Sequence, residues 1–382
     1  MRRDSIIHII LACVCLLLLS CDNHKYPVEL VQVDSLIEVK PDSAVSLLQS
    51  LDAQMRQVPE ETRMYYRLLK IKAADKAYIP HKSDKEIMQI VAYYEHKGDK
   101  AMLPWAYYYA GCVCRDLNDA EKSLDYYHKA LNSTDDVHVK GLCSVAIGYI
   151  FRDREMFDLA GEFFLSSYRY DKMHNDVNGM IFDLRDIGRN YWDQRNCDSA
   201  SIYLSEGLRL AEKYNNKEMA SSINLQLAVI NLQQNQNKKA KDCLDACLVN
   251  LDSCEFFTYQ SVLASYYVNT GEKDSASVCF LRAFCSDNIY TKQKASAFLA
   301  DYYADLGETS RADYFLRKND SLKNQVSKTQ KTEKLLFKQY HYDNVKRHNV
   351  SLLNLFLFVS VLIVLFVWYV NTTVHENPLT FS

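Results

Sequence analysis

The sequence predicts an all-α protein: a solenoid of stacked helical hairpins, then a polar helix and a single C-terminal transmembrane helix. Three observations predict it. Glycine (10) and proline (6) are scarce among 382 residues, so the chain has few turn formers and is rich in residues that tolerate helix. A pattern of small and bulky residues recurs six times. A 21-residue apolar run, Val350 to Val370, spans ~31 Å as a helix and matches a bilayer core of ~30 Å. Hydrophobic residues make up 48% and charged residues 24%, which indicates an ordered core. The net charge of −3 lacks the basic footprint of a nucleic-acid partner, and none is expected.

Taken in order, residues 1–20 read as a secretion signal. Arg2 and Arg3 form the basic start, and Ile6 to Leu19 is an apolar run broken only by His8. That run spans ~21 Å, too short for a membrane helix. It ends in Leu18-Leu19-Ser20-Cys21, which resembles a bacterial lipobox. That resemblance implies lipidation of Cys21 as the first mature residue. An ordinary signal peptide or an uncleaved anchor is the alternative. Of twelve cysteines, those left after the signal and Cys21 are odd in number and irregularly spaced, so they do not form a disulfide framework. Cys112 and Cys114 face different sides of a helix, and no His completes a zinc set around Cys243 and Cys247. Buried packing is the expectation for most thiols.

Residues 21–316 carry the repeats. Pro27–Ala53 reads as a first hairpin that caps the array, with Pro41-Asp42-Ser43 at its turn. Glu60–Tyr78 and Ser83–His96 form a second pair, broken at Pro80 and Gly98. The repeating pattern then begins: a small residue, an aromatic or Cys three on, a small residue nine further, a bulky one four further, a small one three further. Its copies lead with Gly111, Gly148, Gly188, Ala228, Ala264 and Ala300, at spacings of 37, 40, 40, 36 and 36. Gly148, Phe151, Ala160, Phe164 and Ser167 show it most clearly. In the last copy Leu316 takes the bulky site and Asn319 the final small one. Small residues let two antiparallel helices approach, and bulky ones fill the remaining groove. About eight hairpins result.

Residues 317–349 read as a basic juxtamembrane helix, with eight Lys/Arg against three Asp/Glu from Lys318 to Arg347 and no heptad. Residues 350–370 are the transmembrane helix, with Trp368 and Tyr369 where an aromatic belt belongs. Residues 371–382 are a short tail without Lys or Arg. Arg2 and Arg3 place the repeats outside, whereas Lys346 and Arg347 argue the reverse. The first segment usually dominates, so the repeats are expected to be periplasmic, tethered by Cys21 and by a span in the inner membrane.

The repeats resemble the tetratricopeptide repeat (TPR), whose period is about 34. With Lys40-Pro-Asp-Ser-Ala44, Arg63-Met-Tyr-Tyr66, Lys76-Ala-Tyr-Ile-Pro80, Tyr107-Tyr-Tyr-Ala-Gly111 and Asp116-Leu-Asn-Asp-Ala120, the chain resembles the Bacteroidetes TPR lipoproteins and transmembrane regulators over roughly residues 10 to 370. Members of that family typically follow the span with a cytoplasmic output region. Here twelve residues follow it, the pattern of a short form. Asp-Ser-Ala at 42–44, 198–200 and 274–276 resembles an O-glycosylation acceptor of the same phylum. The competing reading makes Asp and Ser helix caps.

The TPR resemblance implies that the first helix of each hairpin lines a concave groove, six and three before the leading small residue and one, four and five after it. Those sites hold Trp105, Tyr108 and Arg115, then Tyr149 and Arg152, then Arg185, Arg189 and Trp192. Trp, Tyr and Arg supply large contact area with a polar handle. Later hairpins offer blander residues such as Val229, Ser261 and Ser265. The ligand is therefore expected in the first half of the groove, as a protein, an extended peptide or an acidic group. The competing reading pairs these charges with neighbours and packs the Trp rings. No phosphate loop, His-Glu-x-x-His, nucleophile elbow or paired CxxC occurs, so no enzyme activity, cofactor or metal is expected. Two alternatives to a binding scaffold stay open: a relay through the span to a cytoplasmic partner, and a hydrolase with a cryptic site. The lipobox makes a direct prediction. A fatty-acid probe should label wild type in growing cells and leave Cys21→Ala unlabelled; equal labelling of both refutes it.

Overall fold

The computed structural model describes residues 25–97, 99–247, 253–329 and 332–376. The signal segment and Cys21 lie outside them. The described residues form helices and no strand, in two compact units, one up to Val139 and one from Lys140.

The first unit holds α1 (Val28–Val39), α2 (Pro41–Met55), α3 (Glu60–Lys76), α4 (Lys85–His96), α5 (Leu103–Asp116) and α6 (Ala120–Asn132). Pro41 occupies the first turn of α2, where its missing N–H costs nothing. Leu30, Val33 and Ile37 pack with Ala44, Leu48 and Tyr66. The Tyr66 hydroxyl donates to the Leu48 carbonyl at 2.7 Å and to Asp52 at 2.6 Å, which ties α3 to α2.

The next helix, α7 (Val137–Arg152), begins at the boundary and pairs with α8 (Phe157–His174) in the second unit. The hairpins α9 (Val177–Asp193)/α10 (Cys197–Lys213), α11 (Lys217–Gln233)/α12 (Asn237–Cys247), α13 (Ser253–Thr270)/α14 (Lys273–Ala283) and α15 (Ile289–Asp305)/α16 (Thr309–Thr329) follow. A Cβ built on Gly148 would come within 2.6 Å of the Phe164 ring, and one on Gly188 within 2.6 Å of Leu204. Ala160, Ala200, Ala240 and Ala276 are wholly buried at the second small site.

One turn closes every repeat. Asn118, Glu155, Arg195, Asn235, Gly271 and Gly307 all have positive φ, each seven residues past a leading small residue. The N–H that follows each reaches back to the carbonyl of the aromatic or Cys site. Met156 N bonds Phe151 O at 3.0 Å, and Asn196 N bonds Tyr191 O at 2.9 Å. This left-handed closure satisfies carbonyls that a helix end otherwise leaves bare.

The structure corrects three sequence expectations. In the last copy Leu316 is 50% exposed, and Phe315 takes the bulky site, stacked on Tyr303 at 5.7 Å and edge-on to Phe284 at 5.3 Å. The polar helix does not start at 317: α16 runs from the Gly307 turn to Thr329, because no Gly or Pro stops the last repeat helix. A further helix, α17 (Thr332–Glu376), passes unbroken through the apolar segment Asn349–Trp368, whose apolar side chains are exposed. Nor are the Asp-Ser-Ala triplets caps. Asn196 caps α10, accepting from Ser199 N at 3.1 Å, while Asp42, Asp198 and Asp274 sit in the first turn, where negative charge favours the helix dipole.

Two further features bear on stability. Cys112, Cys114, Cys143, Cys247 and Cys279 are buried, and burial pushes the Cys112 thiol up to about 12 and Cys114 to about 11, so these thiols are poor nucleophiles. Between α8 and α9, the buried carboxyls of Asp171 and Asp183 face one another. Gly141 makes room for them; a Cβ there would lie 2.6 Å from an Asp171 oxygen. Burial pushes both carboxyls above the usual carboxylate range; the charge of Asp176 adds to it at Asp171, and the charge of Asp171 adds to it at Asp183, which is raised the further.

Two predictions follow from these contacts. Gly148→Leu should overpack the α7/α8 hairpin and cost roughly 1–3 kcal/mol; an unchanged melting temperature would contradict the close approach. The aspartate pair is more readily protonated folded than unfolded, where Asp titrates near about 3.9. The folded state therefore binds more protons above that pH, and the pair's contribution to stability falls as pH rises. The melting temperature of wild type minus that of Asp183→Asn should be more favourable to wild type at pH 5 than at pH 8. A difference independent of pH would refute the raised titration of the pair.

Candidate ligand-binding groove

An α-helix turns about 100° per residue. Residues three and six before a leading small residue, and one, four and five after it, therefore lie about 40–140° around from the hairpin contact. They form a lateral stripe on each first helix, beside the face that packs on the partner helix. In the second unit the stripes of α7, α9, α11, α13 and α15 enclose a groove of about 720 Å³.

Arg152, Asp153, Arg189, Trp192 and Asp193 form one wall of the groove. Gln226, Val229, Ser261, Val262 and Ser265 continue it from α11 and α13, and Tyr290, Lys294 and Phe298 complete it from α15. The groove thus extends through three hairpins beyond the stretch in which the sequence places the ligand. The Arg and Trp positions face the same space as the bland ones, because each hairpin repeats the stripe at the same angle.

The charges divide by partner. The Arg152 guanidinium donates to Asp193 at 2.8 Å, with both side chains largely buried. The Trp192 indole N–H donates to Gln233 at 2.8 Å, which holds the ring across α9 and α11. Neither Arg189 nor Lys294 has a hydrogen bond or ion pair among the described residues. Burial in the groove, reinforced by neighbouring Arg152, makes the Arg189 cation less favourable than in water. The groove walls also lower Lys294, although its chain keeps contact with solvent. Asp153 is pushed upward by burial, against the pull of Arg152, Arg154 and Arg189.

The other sequence-predicted residues serve the scaffold. The Tyr149 hydroxyl donates to Asp186, which is 2% exposed and is paired with Arg185 at 2.9 Å. Arg185 also lies over the Phe182 ring at 5.1 Å. In the first unit, Trp105 stacks on Tyr109 at 6.2 Å with Lys72 at 6.0 Å from its ring. Tyr108 packs against Tyr127 at 5.8 Å. Arg115 pairs with Asp75 at 2.8 Å and Asp116 at 3.0 Å. Lys294 and Phe298 were not singled out from sequence, although Lys294 stands six residues before Ala300, a site of the same stripe. The signal was the register; the residues there simply lacked an aromatic–arginine pair.

No family model matches the chain, and no curated protein matches it. Solved structures do resemble it. The apo form of RapI is 12% identical and aligns over 78% of this chain and 98% of its own, with a TM-score of 0.57. NprR in complex with its cognate peptide NprX is 14% identical over 83% and 97%, with a TM-score of 0.56. The Cut9–Hcn1 hetero-tetramer of the APC/C is 11% identical over 79% and 54%, with a TM-score of 0.54. At such identities the likeness establishes the fold, a TPR-like helical-hairpin solenoid, and leaves function to the site.

Proposed function

We propose that this chain is an envelope-anchored TPR scaffold that binds a protein or peptide segment in the groove of α7 to α15, in sensing or regulation. The observation that carries the reading is the groove itself. A space of about 720 Å³ falls within the usual range of ligand sites, and it sets an indole, a phenylalanine ring and two unpaired cations around an apolar wall. Such groups bind by burial and charge. NprR, of similar fold, is solved with a cognate peptide, which lends the reading a precedent.

Anchoring rests on Cys21 and on Asn349–Trp368, a 20-residue apolar segment about 30 Å long as a helix. The lipobox reading puts the groove in the periplasm. A relay reading has one observation in its favour: α17 is a single helix from Thr332 to Glu376, so the span continues a helix of the repeat side without a break.

Purified full-length chain in detergent micelles should retain members of a random peptide pool. Arg152→Ala, Arg189→Ala and Trp192→Ala should each weaken retention of the selected peptides by about 1–3 kcal/mol, with helical circular dichroism unchanged. If all three bind as tightly as wild type, the groove is not the binding site.

A further inference from the structure

The groove carries more chemistry than a site for peptide in general. Of its cations, Arg152 is already neutralised by Asp193 at 2.8 Å. Arg189 and Lys294 have no such direct partner; partial burial and neighbouring Arg152 act against the Arg189 charge, with Asp186 and Asp193 opposing them, whereas Lys294 is exposed in the groove wall. An anion brought between the groove walls would therefore meet two donors that make no hydrogen bond or ion pair among the described residues, one of them, Arg189, partly buried, where a charge-assisted hydrogen bond is stronger than in water. Arg189 stands one residue past Gly188 on α9, and Lys294 six before Ala300 on α15, so both belong to the groove stripe. The remaining wall is apolar, with Val229, Val262 and Phe298.

Besides Asp193, which is paired with Arg152, two acids line the same space, Asp153 and Glu155. Asp153 has no hydrogen bond or ion pair among the described residues; the groove wall disfavours its charge, although the residue keeps contact with solvent and Arg152, Arg154 and Arg189 pull the other way. A second negative charge on the ligand would add repulsion to that cost. The pattern of two cations without a direct partner, an acidic neighbour and an apolar wall favours one negative charge with an apolar flank.

We propose that the groove selects peptides bearing a single carboxylate beside an apolar or aromatic residue, with Arg189 and Lys294 binding the carboxylate and Asp153 rejecting a second one. This rests on the peptide-binding reading above and deepens it. The carboxylate is either a chain terminus or an Asp or Glu side chain; both present the same oxygens to the same donors.

The test uses the full-length chain in detergent micelles and four pools of short synthetic random peptides. One pool has free C-termini and no Asp or Glu. The second is amidated and has neither. The third is amidated with one Asp, and the fourth has a free C-terminus with one Asp. Peptides retained after gel filtration are quantified by mass spectrometry. At least one single-carboxylate pool should be retained roughly tenfold above the pool with none and above the pool with two; which one it is identifies the source of the carboxylate. Arg189→Ala and Lys294→Ala should each erase that preference, read as the ratio of single-carboxylate to carboxylate-free retention within the same variant. Asp153→Asn should raise retention of the two-carboxylate pool. Equal retention of all four pools that is lost in Trp192→Ala would overturn the carboxylate selection and leave the peptide groove standing. A preference that survives in both cation variants would overturn the assignment to Arg189 and Lys294. Retention of no pool would overturn both this inference and the peptide reading.

Discussion

The close approach of two antiparallel helices at one small residue per hairpin is the contact on which the rest of the fold depends. At Gly148 the Phe164 ring occupies the space that any side chain would need, and at Gly188 Leu204 does the same. Burying each such ring or leucine contributes about 1.5–3 kcal/mol, but only if the backbones come near enough for the side chain to reach across. Seven residues later the chain must reverse. The left-handed residue there lets the following N–H reach back to the helix, so the distance from contact to turn is the same in all six repeats. With that length constant, the face that a first helix turns toward its partner is constant too. So is the face left over.

The groove follows from the leftover face. Since the contact residue and the turn are both spoken for, the lateral stripe does not hold the hairpin together at its closest approach and can carry charge. Part of that charge is used internally. Tyr149, Arg185 and Asp186 satisfy one another, and Arg152 closes on Asp193. Removing one member of such a pair would leave a buried charge uncompensated, which costs far more than the pair contributes. Arg189 and Lys294 differ in kind, because neither makes a hydrogen bond or ion pair among the described residues, and Arg189 is partly buried as well. Uncompensated groups of this sort concentrate at sites that meet a ligand.

Much of the fold was legible in the sequence because its rule is local. Small and bulky residues at set intervals on two helices suffice to locate Gly111, Gly148 and Gly188, and the six turns have the spacing of those residues. The failures share a cause. Leu316 and Phe315 are both bulky and adjacent, and only the presence of Tyr303 and Phe284 beside Phe315 decides which is buried. Asp198 and Asn196 are both good caps by type, and the choice depends on where the turn ends. Of the eight groove residues expected from sequence, Arg152, Arg189 and Trp192 line the cavity. Tyr149 and Arg185 occupy the same stripe yet spend their polar atoms on Asp186. Pairing is a property of three dimensions, and residue type alone does not separate a paired arginine from a free one.

The same distinction explains why the bland half of the stripe matters. A groove lined throughout by Arg and Trp would fill itself: guanidinium groups would stack on indoles and pair with the acids opposite, as Arg185 does over Phe182 and against Asp186. Small residues at Ser261 and Ser265 and the modest bulk of Val229 cannot reach across. They keep the far wall away from Arg189 and Lys294. Ser265 turns its hydroxyl inward to the Ser261 carbonyl at 2.8 Å, so it presents little polar demand of its own. Open volume beside Arg189 is therefore a joint product of the two halves, the first supplying its charge and the second small residues that do not reach it. Enlarging a side chain in the bland half should weaken binding as surely as removing an arginine, by filling the space rather than by removing the attraction.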